Sequence, residues 1–275
     1  MSPEVASTRK AAATPFAPRV MPNNLHAFGG IWRLSIRRFF NLNRWLMLAG
    51  MLVLLVLFSI PAAGNRDEAA RGFLPWAARF YVCFLVPVMA FLSAAGTVRD
   101  DLQAGAVDYL FTRPVRRPVF VCLRYVAHVI CTQLDFLFAF VVVIGIGAFW
   151  EVPGLMNAAP WLLLAQVLAI LAFTAFGFLC AMLTSRYVII GLLYGVFIEV
   201  GMGNVPTQLS HLSMGRQILS VLAPLLPVRG GFLGEGALTP PAASALLVGT
   251  SLLMLGVAAL VFALREPGGA AGREA

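Results

Sequence analysis

Six apolar runs of membrane-spanning length dominate this sequence. A helix of about 20 apolar residues crosses the hydrocarbon core of a bilayer, which is roughly 30 Å thick. In lipid the backbone must satisfy its own hydrogen bonds, and a helix does so within one segment. The sequence therefore predicts an all-α polytopic membrane protein with six transmembrane helices. The runs cover about residues 45–63, 76–97, 119–149, 161–183, 187–204 and 241–264.

The composition excludes a soluble globular domain. Of the 275 residues, 60% are hydrophobic and only 12% are charged, whereas soluble domains carry about 25% charged residues. The formal net charge of +8 is not gathered in one dense patch. Most basic residues lie just outside apolar runs, where anionic headgroups attract them, so we predict no nucleic-acid partner. The cysteines lie inside apolar runs without metal-ligand spacing, which predicts no disulfide framework: Cys83, Cys122, Cys131 and Cys180.

The placement of the basic residues predicts the orientation. With the N-terminus inside the cell, 14 basic residues lie on the cytoplasmic side and five on the outer side, while Arg124 falls within a span. Basic residues are enriched on the cytoplasmic side of membrane proteins. We therefore expect a multi-pass protein of a bacterial-type cytoplasmic (inner) membrane. Residues 1–24 and 265–275 are expected to be cytoplasmic tails, the first of them disordered, on either side of a membrane domain at 25–264.

Two apolar segments are predicted to be helical without spanning the membrane. In residues 25–44, Arg33, Arg37 and Arg44 fall within about 40° of one another on a helical wheel, opposite aromatic and aliphatic residues. This pattern predicts an interfacial amphipathic helix, with an irregular juxtamembrane segment as the alternative. Residues 212–227 are apolar but broken by prolines, which predicts a re-entrant or interfacial pair of short helices. An ordinary outer loop is the alternative.

The third apolar run contains a polar stripe. Arg124, His128, Cys131 and Asp135 fall within about 60° of one another on a helix. An aspartate at the centre of a span costs roughly 2.5–3.5 kcal/mol, so the stripe is expected to face protein or a watery cavity. It is either the wall of a transport pathway or a set of hydrogen bonds between packed helices. For Arg124, near the cytoplasmic boundary, snorkelling towards the headgroups is a further alternative.

The fifth run carries two features of its own. Glu199 lies in its outer half and either lines a pathway or pairs with a polar group of a neighbouring span. Gly191 and Gly195 form a GxxxG pattern, which permits close helix packing. That packing is expected within one subunit, with a sister subunit as the alternative.

The chain shows no catalytic constellation. The sequence has no GxxxxGK[ST], GxSxG or HExxH motif, and its three histidines lie on different segments. We therefore expect a chain that is not an enzyme and that holds no metal or cofactor. A membrane-embedded enzyme or assembly factor would need a clustered nucleophile and base, which the sequence does not indicate.

The segment between the second and third runs is the most charged part of the chain. Seven of the twenty residues at 99–118 are charged, so this segment must lie in water or against protein. The stretch VRDDLQAGAVDYLFTRPVRRPVFVCLRYVAHVI resembles the ABC type-2 permease family, the membrane subunits of many ATP-driven exporters. Asp stands where Glu is more usual, and Arg116 where Ser is common. The positions that match the family pattern are Asp100 or Asp101, Gly105, Tyr109, Leu110, Arg113, Pro114, Arg116 and Arg117.

This resemblance implies the permease subunit of an ABC transporter that works in export, with the spans forming the translocation pathway. It implies two membrane subunits, identical or similar, above two separate ATPase subunits that bind ATP and Mg. Residues 99–118 would form a cytoplasmic coupling helix that fits a groove on the ATPase. The rival hypothesis is a proton-coupled secondary transporter with Asp135, His128 and Glu199 as its relay. The sequence does not indicate the cargo.

Overall fold

The computed structural model describes residues 29–30, 32–33, 36, 42–62, 72–102, 117–201, 212–225 and 238–264. In these residues every regular element is a helix. Two of the helices include a π-helical segment: Ala77–Leu85 within α2, and Gly195–Gly201 at the end of α5. Seven helices have both ends within the described residues: α1 (Leu42–Ala62), α2 (Gly72–Asp101), α3 (Arg117–Phe149), α4 (Leu155–Leu183), α5 (Tyr187–Tyr194, continued by Gly195–Gly201), α6 (Met214–Val221) and α7 (Pro240–Leu264).

Four of these helices are long and apolar enough to cross a membrane, namely α2, α3, α4 and α7. The prediction of an all-α membrane protein is therefore confirmed for the part of the chain described. The apolar stretches within α1 and α5 are shorter, Leu48–Ser59 and Tyr187–Glu199. The count of six spans stays a prediction.

Helix α4 is the centre of the bundle. Eighteen of its residues are buried, and it packs against α2, α3, α6 and α7. It contains no charged residue, and a helix that is apolar all round is stable when surrounded by other helices. Small residues of α4 allow α2 to approach it closely. A Cβ at Gly177 would lie 2.7 Å from the backbone oxygen of Phe91 on α2, so these two helices pack nearly backbone to backbone.

The helices define two ends of the bundle. At one end, a short turn joins α3 to α4 and contains Gly154, whose φ of 75° favours glycine. Phe73 of α2 lies here, against Gly147 and Leu155. We call this the Gly154 end. At the opposite end, three residues join α4 to α5, and Asp101 closes α2. Apolar residues of α2, α3, α4 and α7 pack together near this Asp101 end, among them Val98, Val121, Met182 and Phe262.

Helix α6 lies within the segment predicted to be a broken pair of short helices. Six of its eight residues are buried, and it packs against α2, α4 and α7. The ordinary-loop alternative is therefore wrong for Met214–Val221. Residues 222–225 form turns, and residues 226–227 lie outside the described residues, so the second helix of the predicted pair stays a prediction.

Several other predicted features fall wholly or largely outside the described residues. Both tails, at 1–24 and 265–275, belong to this group. Of the predicted amphipathic helix at 25–44, the few described positions have helical backbone, with Arg33 exposed and Trp32 and Ile36 half-buried. Of the predicted coupling segment at 99–118, residues 103–116 are not described.

Candidate functional site

The first charged residues of the predicted coupling segment belong to a long helix. Helix α2 continues to Asp101, four residues beyond the apolar run at 76–97 that predicted it. The Leu102 N–H donates to the backbone oxygens of Val98 (3.0 Å) and Arg99 (3.1 Å), which completes the last turn. The expectation that Asp100 and Asp101 lie in a separate loop helix was therefore wrong, because the helical hydrogen bonds continue past the end of the apolar sequence.

Asp101 forms a buried ion pair with Arg124 of α3. The Arg124 Nε donates to Asp101 Oδ2 at 2.7 Å, and Nη2 lies 3.4 Å from Oδ1. The two side chains are only 4% and 12% exposed, for Arg124 and Asp101 respectively. Charge-assisted bonds in this forked geometry are among the strongest in proteins. The snorkelling alternative for Arg124 is therefore wrong, because its guanidinium lies inside the bundle.

The ion pair also compensates an unfavourable position of Asp101. The C-terminal end of a helix carries a partial negative charge, which repels a carboxylate. Arg124 reaches this end from the neighbouring helix and neutralises the carboxylate. The ion pair thus joins the end of α2 to α3, and each of its two charges is compensated by a residue of the other helix.

The residue after Arg124 joins α3 to the central helix. The Tyr125 hydroxyl donates to the backbone oxygen of Leu171 on α4 at 2.9 Å. The Tyr125 ring meets that of Phe178 edge to face, with centroids 5.7 Å apart. Phe178 is fully buried, so these contacts connect the interior of α4 to the α3 residue that follows Arg124.

One turn further along α3, His128 forms a second polar contact with α2. Its Nε2 lies 3.4 Å from the Ser93 Oγ, and its ring packs against Phe178. Arg124, His128 and Cys131 are all buried, whereas Asp135 is half-buried. The predicted stripe thus faces neighbouring helices over three of its four positions. Whether it also lines a pathway stays a prediction.

Glu199 anchors the short helix α6. Its carboxylate accepts hydrogen bonds from the Ser213 hydroxyl (2.7 Å) and from the Gly215 N–H (3.0 and 3.2 Å). Ser213 is the N-cap of α6, and its hydroxyl accepts from the Arg216 N–H at 3.0 Å. A carboxylate at a helix N-terminus interacts favourably with the helix dipole. Glu199 is therefore paired with polar groups of the short helix α6 rather than of a neighbouring span, and whether it also lines a pathway stays a prediction.

Glu199 and His128 lie in different parts of the bundle. The ring of Tyr187, at the start of α5, lies 6.4 Å from that of Phe91, two residues before the Ser93 that contacts His128. Glu199 is twelve residues beyond Tyr187, roughly 18 Å along a helix. Glu199 and His128 are therefore not in contact with each other, and the part of Asp135 in the predicted proton relay stays a prediction.

A buried network that the sequence did not predict joins three helices. The Tyr81 hydroxyl on α2 donates to Gln166 Oε1 on α4 at 2.6 Å and lies 3.1 Å from the Phe136 carbonyl oxygen on α3. Tyr81 and Gln166 are both fully buried. A tyrosine and a glutamine within apolar runs were the available signal, because such groups need partners inside a membrane.

Of the remaining predicted coupling positions, only Arg117 belongs to the described residues. Arg117 begins α3. The other matched positions lie outside the described residues: Gly105, Tyr109, Leu110, Arg113, Pro114 and Arg116.

Together the four long helices, the short buried helix and the internally paired charges define a helical membrane protein. No group of three His, Cys, Asp or Glu residues in the described ranges could hold a metal ion. No model of a known protein family matches the chain, and no curated protein matches it significantly.

Proposed function

We propose that this protein is the membrane-spanning permease subunit of an ABC transporter, acting in export from a bacterial-type cytoplasmic membrane. A separate ATPase subunit would bind ATP and Mg and dock on residues 99–118. A second permease subunit, identical or similar, would complete the translocation pathway. The resemblance of residues 98–130 to the ABC type-2 permeases is the starting point of this proposal.

The observation that carries the proposal is the ion pair at the base of the charged segment. Residues 103–116 connect α2 to α3, and these two helices are joined beside the segment by Asp101, at the end of α2, and Arg124, about two turns into α3. A force applied to the segment therefore acts on helices that are fixed to each other. Tyr125 carries the same connection to the backbone of α4. This arrangement suits a chain that receives movement from a partner at one end.

The proton-coupled alternative gains no comparable support. It needs a relay through Asp135, His128 and Glu199, and the hydrogen-bond contacts found for His128 and Glu199 are with Ser93 and with α6, not with each other. Glu199 is already bonded to the N-terminus of α6. An arrangement of this kind supports an anchoring role for the carboxylate.

The proposal is tested by purifying the chain from native membranes and measuring the ATP hydrolysis that accompanies it. We expect an ATPase to co-purify, and the double variant R113E/R116E to lose it, because the charges on the docking segment are reversed. The matched control is E151R, a charge reversal at the exposed Glu151 of the Gly154 end, which should retain the ATPase. Transport by the purified chain alone, in vesicles without any ATPase, would overturn the proposal.

A further inference from the structure

Two neighbouring aspartates at the end of α2 have different surroundings. From these surroundings we infer that Asp101 and Arg124 form an internal joint, which transmits movement of residues 103–116 to α4, while Asp100 faces the ATPase. This inference rests on the proposed function and deepens it. It makes Asp101 and Arg124 positioning residues and Asp100 a docking residue, a division that the sequence motif alone does not contain.

The first support is the direction of the two side chains. Adjacent residues on a helix point about 100° apart. Asp100 is exposed, whereas the Asp101 carboxylate is held in the fork of the Arg124 guanidinium. A partner that bound Asp101 would have to displace Arg124 from the interior. Asp100 can be reached without any such change.

The second support is the closed connection among three helices. Asp101 and Arg124 join α2 to α3, and Tyr125 joins α3 to the Leu171 carbonyl of α4. Helix α4 returns to α2 through the close contact of Gly177 with the Phe91 backbone. Three helices connected in this way cannot slide independently at this end. A displacement of the charged segment therefore reaches the most buried helix of the bundle.

The third support is that the joint depends on both charges. A buried ion pair is disrupted strongly when one partner is removed, because the other charge is left unpaired. Replacement of both partners by apolar residues of similar size is often tolerated. A double apolar variant is therefore expected to keep the stability of the protein and to lose only the hydrogen-bonded geometry that joins α2 to α3.

The first experiment uses the isolated chain in lipid nanodiscs and measures hydrogen–deuterium exchange. In D101N and in R124Q we expect peptides from 92–102 and 117–130 to exchange roughly tenfold faster or more, since one buried charge is unpaired. The double variant D101L/R124M should recover most of the protection. The matched control D100N, one residue away, should exchange like the wild type. Wild-type exchange in D101N, or equal effects in D100N and D101N, would overturn the inference.

The second experiment uses the complex with the ATPase and a non-hydrolysable ATP analogue, so that no cargo is needed. In the wild type we expect the analogue to change exchange in the 171–183 peptide of α4. D101L/R124M should still bind the ATPase but lose this response, whereas D100R should lose ATPase binding itself.

The outcomes of the second experiment distinguish a failure of this inference from a failure of the proposed function. If D101L/R124M keeps the response of α4, the joint is not the route of transmission. If D101N loses ATPase binding as D100R does, Asp101 is a docking residue and the division of roles is wrong. If no ATPase binds the wild-type chain, the proposed function fails and transmission fails with it, while the isolated chain still reports whether the ion pair joins α2 to α3.

Discussion

Asp100 and Asp101 show how strongly one position along a helix changes the environment of a side chain. One carboxylate is exposed, and the other lies against Arg124 inside the bundle. The same contrast recurs with Glu199, whose carboxylate is bonded to the cap of α6. In both cases a charge placed within or beside an apolar helix is satisfied by a partner on another segment. We therefore expect a single substitution to destabilise the protein at an internally paired position such as Asp101, and to have little effect on stability at an exposed position such as Asp100.

Tyr81→Phe tests the buried network between α2 and α4. The substitution removes the hydroxyl bonded to Gln166 and leaves the buried amide without that partner, which costs about 1–3 kcal/mol. We expect a lower midpoint of thermal unfolding in detergent. The double variant Y81F/Q166L replaces both partners by apolar groups and should recover most of the loss. A double variant less stable than Y81F would contradict this account.

Gly215→Ala tests the anchoring of α6 by Glu199. A Cβ at this position would lie 2.5 Å from Glu199 Oε2, so the carboxylate must move and lose its bonds to the α6 N-terminus. We expect a loss of about 1–3 kcal/mol, the range for buried groups left unsatisfied, measured by thermal unfolding. Gly256→Ala on α7 is the control, because no described atom lies within 4 Å of a Cβ there. Equal stability of the two variants would argue against the anchor.

At the scale of the element, the two glycines of the GxxxG pattern on α5 have different neighbours. A Cβ at Gly191 would overlap the ring of Phe91, which is itself packed against Phe176. A Cβ at Gly195 would have no described atom within 4 Å. Gly191 therefore packs within the subunit, as expected from the sequence. Gly195 takes no part in that contact.

Gly191→Ala should accordingly destabilise the protein, and Gly195→Ala should not. Overpacking a filled contact costs roughly 1–3 kcal/mol, whereas alanine in an open helical position is favoured over glycine by up to about 1 kcal/mol. Thermal unfolding of the two single variants measures this difference directly. A destabilised Gly195→Ala with an unchanged Gly191→Ala would reverse the assignment of the packed glycine.

The elements differ in how far the sequence could predict them. Hydropathy indicated α2, α3, α4 and α7 because each is a long apolar run, and the polar stripe predicted only that His128 faces protein or a watery cavity. The pairing of Asp101 with Arg124 could not be predicted, because it depends on the rotation of two helices about their axes. The anchoring of α6 by Glu199 could not either, since its partners lie 14 and 16 residues away across a segment without regular pattern.

At the scale of the whole molecule, the bundle has a charged end and an opposite end marked by Gly154. Asp101, Arg124 and the turn Thr184–Arg186 gather at the first. If basic residues mark the cytoplasmic side, this end faces the cytoplasm. Chemical labelling of one residue at each end can therefore test which end faces the cytoplasm, without any knowledge of the cargo.

Cysteine labelling tests this orientation. In a background without the native cysteines, S185C should react with a membrane-impermeant maleimide only from the cytoplasmic side, and E151C only from the outside. Both positions are exposed turns in the structure, so accessibility does not favour either. The reverse pattern would overturn the orientation and, with it, docking of an ATPase on residues 99–118.

The central place of α4 has a consequence for biosynthesis. Residues 155–183 leave the ribosome well before residues 240–264, because chains emerge N-terminal first. Until α7 is made, the apolar surface against which Ala258 and Phe262 will pack is exposed, and lipid or a chaperone must cover it. A ribosome that stalls before α7 would leave an incomplete bundle in the bilayer, and we expect such a product to be degraded by the membrane's quality-control proteases.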